Sequence, residues 1–303
     1  GPGTPIAVFN PSMWERQDPV EMTVDIRHWE RKNTSGSQYW WRETQIQLLD
    51  EEGNDIPVQL VPLTGFSAGV SRARIVFVPK MPPLGYRVFQ VMNEAAPATA
   101  EQDAQALRAE GTALENRWWR LEVDPATGWI TRLFDKTLGV EVLSGPGAVP
   151  VVLEDESDTW AHEVRAFHRE AGRFVAERVD LIEAGPVRAA LRVVSAFGSS
   201  RIDQQISLYR DTPLIQFTLR VHWQERHKML KFEFGFNLEA PEIASDAPYG
   251  RIARPEDGEE QPGGKWLEFN GRARDARGTP QQVRLALLSD SVYGYDASAR
   301  MRT

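Results

Sequence analysis

The residues best placed to do chemistry are carboxylates gathered beside an indole and an imidazole. Glu154, Asp155, Glu156 and Asp158 stand almost side by side, and Trp160 and His162 follow. Paired carboxylates can act as acid and nucleophile at a glycosidic bond, about 5–5.5 Å apart in retaining enzymes, and a neighbouring ring can hold the sugar. The same residues would equally make a solvated loop with one packing Trp. A second group lies at 249–266, YGRIARPEDGEEQPGGKW, where Tyr249, Arg251, Lys265 and Trp266 stand among glycines. These side chains can hydrogen-bond and stack on a sugar, although a long connection covering the end of a β domain would read alike. Asp158, Trp160, His162, Tyr249, Arg251, Lys265 and Trp266 are therefore the candidate substrate-facing or interdomain residues. None of them is assigned a catalytic role.

The remaining chemistry is thin. His28, His162, His168, His222 and His227 form no HxxxH pair and no triad in evident register, whereas a metal needs three or four convergent ligands. Ser157 and His162 are close in sequence, but no GxSxG elbow accompanies them. The chain has no cysteine, which excludes a disulfide framework and a thiolate metal site. The aromatic cluster Gln38, Tyr39, Trp40, Trp41 could stack a sugar or pack onto a neighbouring domain.

Strands must position these residues, because the apolar pattern has period 2. The stretch 214–238 is the strongest example. Ile215, Phe217, Leu219, Val221 and Trp223 alternate with polar residues; after QERHK, so do Leu230, Phe232, Phe234, Phe236 and Leu238. Successive strand side chains point to opposite faces, so each run predicts one buried apolar face and one solvated polar face. The short polar break predicts that the two runs pair as a long antiparallel hairpin, burying Ile215, Phe217, Leu219, Phe232, Phe234 and Phe236. Residues 174–182 and 187–197 should pair across Gly185-Pro186, and 118–123 with 130–134 across the turn at 124–128.

Shorter strands separated by Gly, Pro and Asn turns run from Ile6 to Met92. The stretch 95–111 is alanine-rich and poor in β-branched residues, and reads as a linker with room for one short helix. The fold class is accordingly all-β: a small antiparallel sandwich over 1–96, a linker over 97–113 and a large sandwich over 114–303. The opening Gly1-Pro2-Gly3 reads as a tag scar, and the whole as a fragment of a longer protein, truncated within its last domain. With 35 basic and 43 acidic residues the formal charge is −8, and no basic run suggests nucleic acid. No apolar run reaches the roughly 20 residues of a membrane span. The lack of cysteine and of a visible signal sequence leads to an expected cytoplasmic location.

Several segments together resemble a known family. FNPSMWER, LLDEEGNDIPVQ, PPLGYRVF, ENRWWRLEVDPATGWITRLFDK, SDTWAHEV, VHWQERHKMLKFEF, PYGRIARP, PGGKWLEF and ALLSDSVYGYD are similar to the C-terminal, non-catalytic half of glycoside hydrolase family 38 α-mannosidases. The similarity runs over residues 9–296. It implies a small β domain followed by a supersandwich related to galactose-mutarotase folds, in a parent that hydrolyses α-mannosides with retention. It also implies a zinc ion and an aspartate nucleophile in a catalytic domain N-terminal to this chain. That domain would be the chain's partner, and neither its zinc ligands nor its nucleophile match any residue here. This chain is expected to hold no cofactor and to be inactive alone.

Two further readings stand beside the resemblance, because fold alone does not fix function. If the large sandwich were an autonomous carbohydrate-binding module, it would show an exposed aromatic platform. A mutarotase-like epimerase would place a His and a Glu on facing strands of one concave sheet.

Overall fold

The computed structural model describes residues 3–25, 46–61, 72–92, 107–158, 160–290, 294–298 and 300–303. The cluster 38–41, His28 and most of the linker lie outside them. No helix occurs among the described residues, and the sheets are antiparallel. The chain clusters into two compact units. The first is Gly1–Arg108 with Ile182–Ala190 and Ser207–Ile215; the second is Ala109–Leu181, Leu191–Ile206 and Gln216–Thr303.

Among the described residues, seven strands precede residue 93: β1 (Thr4–Asn10), β2 (Val20–Asp25), β3 (Gln47–Leu49), β4 (Asp55–Ile56), β5 (Val58–Val61), β6 (Arg72–Phe77) and β7 (Gly85–Met92). They form two sheets, β1-β7-β3-β4 and β2-β6-β5. Ile6, Leu48, Phe89 and Val91 of the first sheet meet Val24, Ile75 and Phe77 of the second in one core. Alternate apolar side chains of these strands point inward, so the two sheets stack as a β-sandwich. Phe77 and Phe89 lock the layers with ring centroids 5.4 Å apart, edge to face.

The next five strands are β8 (Leu107–Glu110), β9 (Ala113–Asn116), β10 (Trp119–Val123), β11 (Ile130–Asp135) and β12 (Val140–Glu141). They form a meander in sheet order β12-β11-β10-β9-β8. Residues 107–110, read as linker from composition, are thus β8. The β10–β11 turn closes as expected, with Gly128 N–H donating to Asp124 O at 2.7 Å.

Seven more strands follow: β13 (Val149–Glu154), β14 (Glu170–Arg173), β15 (Val175–Ala184), β16 (Arg188–Phe197), β17 (Ser200–Tyr209), β18 (Ile215–His222) and β19 (Lys228–Phe234). The last seven are β20 (Glu239–Ala247), β21 (Gly250–Arg254), β22 (Gln261–Pro262), β23 (Trp266–Arg274), β24 (Pro280–Leu288), β25 (Gly294–Ala297) and β26 (Met301–Arg302). They assemble into sheets β15-β16-β17-β18, β14-β13-β19-β26-β25-β22 and β21-β20-β23-β24.

The expected hairpin at 214–238 does not form. β18 is an edge strand beside β17, and β19 lies in a different sheet between β13 and β26. The polar break QERHK carries the chain from one sheet to the other instead of folding it back. Burial differs accordingly: Ile215 and Phe217 are half-buried, and Leu219 is 40% exposed. Phe232 packs with Val152, Phe174 and Ile202, whereas Phe234 and Phe236 pack with Ile243, Leu267 and Phe269. All three aromatics are half-buried. The deepest side chains of β19 are instead Lys231 and Glu233, on the face expected to be solvated.

Candidate functional site

The described residues of 155–169 form no strand, and the base of this segment is closed by two backbone bonds. Glu154 N–H donates to Arg169 O at 2.9 Å, and Asp155 N–H to His227 O at 2.9 Å. Within the loop, Asp158 organises a tight turn. Its Oδ1 accepts the N–H groups of Trp160 at 3.0 Å and His162 at 3.2 Å. Its Oδ2 lies 2.6 Å from His162 Nδ1. The His162 side chain, and then its backbone N–H, holds the Asp158 carboxyl below the usual carboxylate range. Ala161 and Glu163 adopt φ of 49° and 61°, a left-handed backbone that L residues avoid unless the surroundings impose it. The turn therefore projects Trp160, 82% exposed, and the His162 side chain, 73% exposed.

The stretch 249–266 is not a loop. Its first part is β21, paired with β20 in the register Asp246↔Arg251, and Gln261–Pro262 is β22. Tyr249 sits at the β20–β21 turn with φ 65° and is fully exposed. Arg251 Nε donates to Glu268 Oε2 at 2.9 Å on the strand surface, so it faces a carboxylate of the neighbouring sheet region. Lys265 is exposed in the turn before β23, and Trp266 is half-buried at its first position. The two predicted segments do meet, but through other residues. Glu260 N–H donates to Arg165 O at 2.8 Å, and the Arg165 and Glu259 side chains approach to 3.8 Å.

A buried polar assembly on β19 was missed by sequence reasoning. Lys231 Nζ contacts Glu260 and lies 2.6 Å from Asp296 Oδ2. One step along the same face of β19, Glu233 accepts from Arg300 at 2.8 Å and from Arg302 at 2.8 Å, with Arg173 at 3.7 Å. Arg173 also holds Glu170 through two hydrogen bonds of 2.7 and 3.0 Å. The Glu170 carboxyl is lowered and the Arg173 guanidinium raised, each chiefly by that pair. Val149, Val151 and Leu153 share the covered face with Trp129, Phe167 and Met229. Lys231 and Glu233 are buried beside this apolar cluster, so each charge needs a partner. The alternation Lys231, Phe232, Glu233, Phe234 carried the only sequence signal, and it reads like a solvent face. Nearby, the buried Tyr295 hydroxyl finds no hydrogen-bond partner among the described residues, and burial pushes its pKa up to about 12.

Neither a metal site nor a mutarotase-like pair emerges from these groups. Among the described residues no three His, Asp or Glu side chains converge as metal ligands, so the zinc of the resembled family does not fit them. The His162 ring meets Asp158, and His222 Nε2 lies 3.0 Å from Gln224 Nε2. Among the described residues no histidine is bonded to a glutamate. An aromatic platform does exist in the first unit: Phe9 and Tyr86 face each other across β1 and β7, 70% and 59% exposed, with centroids 5.5 Å apart.

Known proteins give this architecture a context. Human "Alpha-mannosidase 2C1" is 27% identical over 250 residues, which cover 79% of this chain and 23% of that protein. The mouse protein of the same name is 27% identical over 185 residues, covering 58% and 18%. A solved structure titled as a protein in the glycosyl hydrolase family 38 from Enterococcus faecalis superposes with a TM-score of 0.70 at 13% identity, over 98% of this chain and 40% of that one. An α-mannosidase structure from Enterococcus faecalis V583 gives 0.65 at 14% identity, over 98% and 42%. The structural likenesses show a shared fold. The chain thus spans about a fifth of the curated relatives' length and about two fifths of the solved chains. The model of the "Glycosyl hydrolases family 38 C-terminal domain" matches residues 114–302, well over half of the chain, and on that match the chain belongs to glycosyl hydrolase family 38.

Proposed function

We propose that this chain is the accessory C-terminal β region of a zinc-dependent, retaining α-mannosidase. The observation that carries the reading is the family match over 114–302, in a chain whose relatives bear the name α-mannosidase. The catalytic residues and the zinc belong to a separate domain of the parent polypeptide, since a retaining glycosidase needs two placed carboxylates and this family resemblance supplies them elsewhere. The β region holds the 155–169 loop and the Tyr249 turn toward that domain or its substrate. The large unit is read as the mutarotase-related supersandwich, used here for support.

The test compares two samples with an aryl α-mannoside. The 303-residue chain alone should show no turnover and bind no stoichiometric zinc. The full-length parent should hydrolyse the mannoside, lose activity to a chelator and release the α-anomer first. Turnover by the isolated chain would overturn the accessory role; an inactive parent would overturn the mannosidase reading.

A second reading, a carbohydrate-binding role for the small sandwich, is favoured by one observation. Phe9 and Tyr86 are mounted on strands and stay exposed, as a sugar-stacking platform requires. It predicts sugar affinity that is lost on Phe9→Ala.

A further inference from the structure

Strand β24 closes its sheet with a row of backbone groups turned away from it. The sheet order is β21-β20-β23-β24, so among the described residues no strand lies on the outer flank of β24. Two bonds just beyond its ends fix which groups point that way. Ser289 N–H donates to Lys265 O at 2.9 Å, and Asp275 N–H to Thr279 O at 3.0 Å. Between them the register runs from Trp266↔Leu288 to Arg274↔Pro280 without a shift. Antiparallel pairs alternate between bonded and unbonded, so residues 281, 283, 285 and 287 turn their N–H and C=O groups toward β23. Gln282, Arg284, Ala286 and Leu288 turn theirs outward.

Sheet edges that are to stay single are guarded by charge, proline, a bulge or brevity. β24 has little of this. It is nine residues long and unbulged, with Pro280 only at its first position and Arg284 as its one charge. The opposite edge of the same sheet, β21, has five residues and carries Arg251 and Arg254. The ten-residue edge β15 carries Glu177, Arg178, Asp180 and Glu183. The inner face of β24 is also incompletely covered. Val283 is buried with Val140 and Ala273, whereas Leu285 and Leu287 further along are half-buried. Leu288, on the outer face, is 73% exposed.

We propose that β24 pairs antiparallel with β24 of a second copy of this chain, about a two-fold axis through Leu285. The edge is self-complementary in that register. Only even-numbered residues bond outward, so even must meet even, which also keeps both apolar faces on the same side. Centring on Leu285 sets Gln282 against the partner's Leu288 and Arg284 against the partner's Ala286. Each outward N–H from Gln282 to Leu288 then meets a carbonyl, and each arginine faces a neutral residue. Centring on Arg284 would put the two arginines directly opposite, which is unfavourable. Centring on Ala286 would carry Gln282 past the strand end to position 290. On the inner face, Leu285 meets the partner's Leu285 and Val283 the partner's Leu287, so the half-buried leucines are covered. The contact is isologous, as a two-fold dimer requires.

The test is sedimentation of the 303-residue chain over a concentration series, where a reversible monomer–dimer equilibrium is expected. Ala286→Pro removes an outward N–H but no bond to β23, so it should weaken the dimer about tenfold or more with melting unchanged. Ala286→Lys, a change on an exposed face, sets a like charge opposite the partner's Arg284 and should weaken the dimer too. Register is read by cross-linking, because the chain has no cysteine of its own. Leu285→Cys sets two sulfurs across an unbonded pair with Cα atoms about 4.5 Å apart, within disulfide reach. Leu287→Cys sets them out of step along the strands and beyond that reach. Mild oxidation should therefore link Leu285→Cys and leave Leu287→Cys single. A chain that is monomeric at every concentration overturns the proposal. A dimer that survives both Ala286 substitutions overturns it in favour of another surface, and a cross-link at Leu287→Cys overturns the register. If Ala286→Pro lowers the melting temperature, Ala286→Lys and the two cysteine variants decide.

Discussion

Gln59 Oε1 accepts the backbone N–H of Arg188 at 2.8 Å, joining residues 129 apart in sequence. The same oxygen accepts Val187 N–H at 3.1 Å, while Gln59 Nε2 donates to Glu183 Oε2 at 2.9 Å. Arg188, itself buried, binds Glu183 through Nε at 2.9 Å and Nη2 at 2.7 Å, and Glu21 through Nη1 at 2.6 Å. Burial works against the Arg188 charge, but the bonds from Glu183 and Glu21 outweigh it and the pKa is raised. Val187 and Tyr209 complete the arrangement by packing with Val61, Val76 and Val78. The first unit is therefore built partly from residues that arrive long after its own strands.

Removing the Gln59 amide should be expensive. Gln59→Ala leaves two buried N–H groups without an acceptor, at about 1–3 kcal/mol each. Gly185 adds an internal check, because a Cβ there would lie 2.2 Å from Gln59 Cδ. Gly185→Ala should destabilise by about 1–3 kcal/mol in the native background, yet by much less once Gln59 is Ala. Urea unfolding of the four proteins measures the coupling. Additive losses would show that Gly185 is required for some other reason.

The Lys231 network leads to an asymmetric expectation. Lys231→Met strands the Asp296 carboxylate, whose side chain is 8% exposed, beside an uncompensated Glu260. Leaving a buried charge without its partner costs about 3–5 kcal/mol. Replacing Lys231, Glu260 and Asp296 together by apolar residues of similar volume should restore most of that loss. If the triple variant is less stable than Lys231→Met alone, the network contributes specific geometry beyond mutual neutralisation.

Acid should weaken the fold through identifiable groups. Asp203 is lowered chiefly by its hydrogen bonds to Arg192, and Glu170 by those to Arg173. Asp124 and Asp275 are lowered by turn N–H groups, of Ala126 and Thr279 respectively. A depressed folded pKa means the unfolded chain binds protons first as pH falls. The stabilisation is fully present above the unfolded values near ~4 and disappears as pH drops through the folded ones. Denaturation midpoints should thus be flat from neutrality to about pH 5 and fall steeply below about pH 4. Asp203→Asn should reduce the steepness. A midpoint that rises on acidification would contradict the assignment.

The strands were legible because alternation is local. Residues 118–134 and 174–197 fold into the hairpins their patterns and turns suggest, since each turn closes on itself, Gly128 N–H on Asp124 O and Gly185 N–H on Arg188 O. The partner of β19 was not legible. Five polar residues are enough for a hairpin and also enough to cross between sheets, and only the competition for Val149–Glu154 decides between them. Nor could the period reveal that the polar face of β19 is covered. Lys231 and Glu233 find their counter-charges at Glu260, Asp296, Arg300 and Arg302, residues that sequence proximity does not connect to them. In the candidate site, Asp158, Trp160 and His162 were readable as one cluster because they share a turn. Residues 249–266 misled because glycine and charge hid β21 and β22.

Phe234 illustrates how the corrected partner changes a magnitude. A fully buried Phe loses about 3–5 kcal/mol on truncation to Ala. Phe234 is only half-buried, stacked on Phe236 at 5.7 Å and 17°. Phe234→Ala should cost about 2 kcal/mol, and Phe89→Ala, in the fully buried core of the first unit, about 3–5 kcal/mol. Equal losses at the two sites would mean that exposure of Phe234 is smaller in solution.

The two candidate segments can be separated in the full-length parent by one pair of substitutions. Arg251 is about half exposed and bonded to Glu268, an arrangement whose removal costs about 0–1 kcal/mol. Asp158 is likewise exposed, and its work is to hold His162. Arg251→Gln and Asp158→Asn should therefore both melt within a few degrees of wild type. If the sugar reaches the 155–169 loop, Asp158→Asn should lower kcat/KM about tenfold, mainly by raising KM, because a binding contact distant from the reacting bond is made equally in the ground and transition states. Arg251→Gln should leave both constants unchanged, since its guanidinium already serves Glu268. Loss of stability in Asp158→Asn would instead assign the loop to an interface. Wild-type kinetics and wild-type melting in both variants would show these segments to be solvated connections, and the candidate site would have to be sought elsewhere in the molecule.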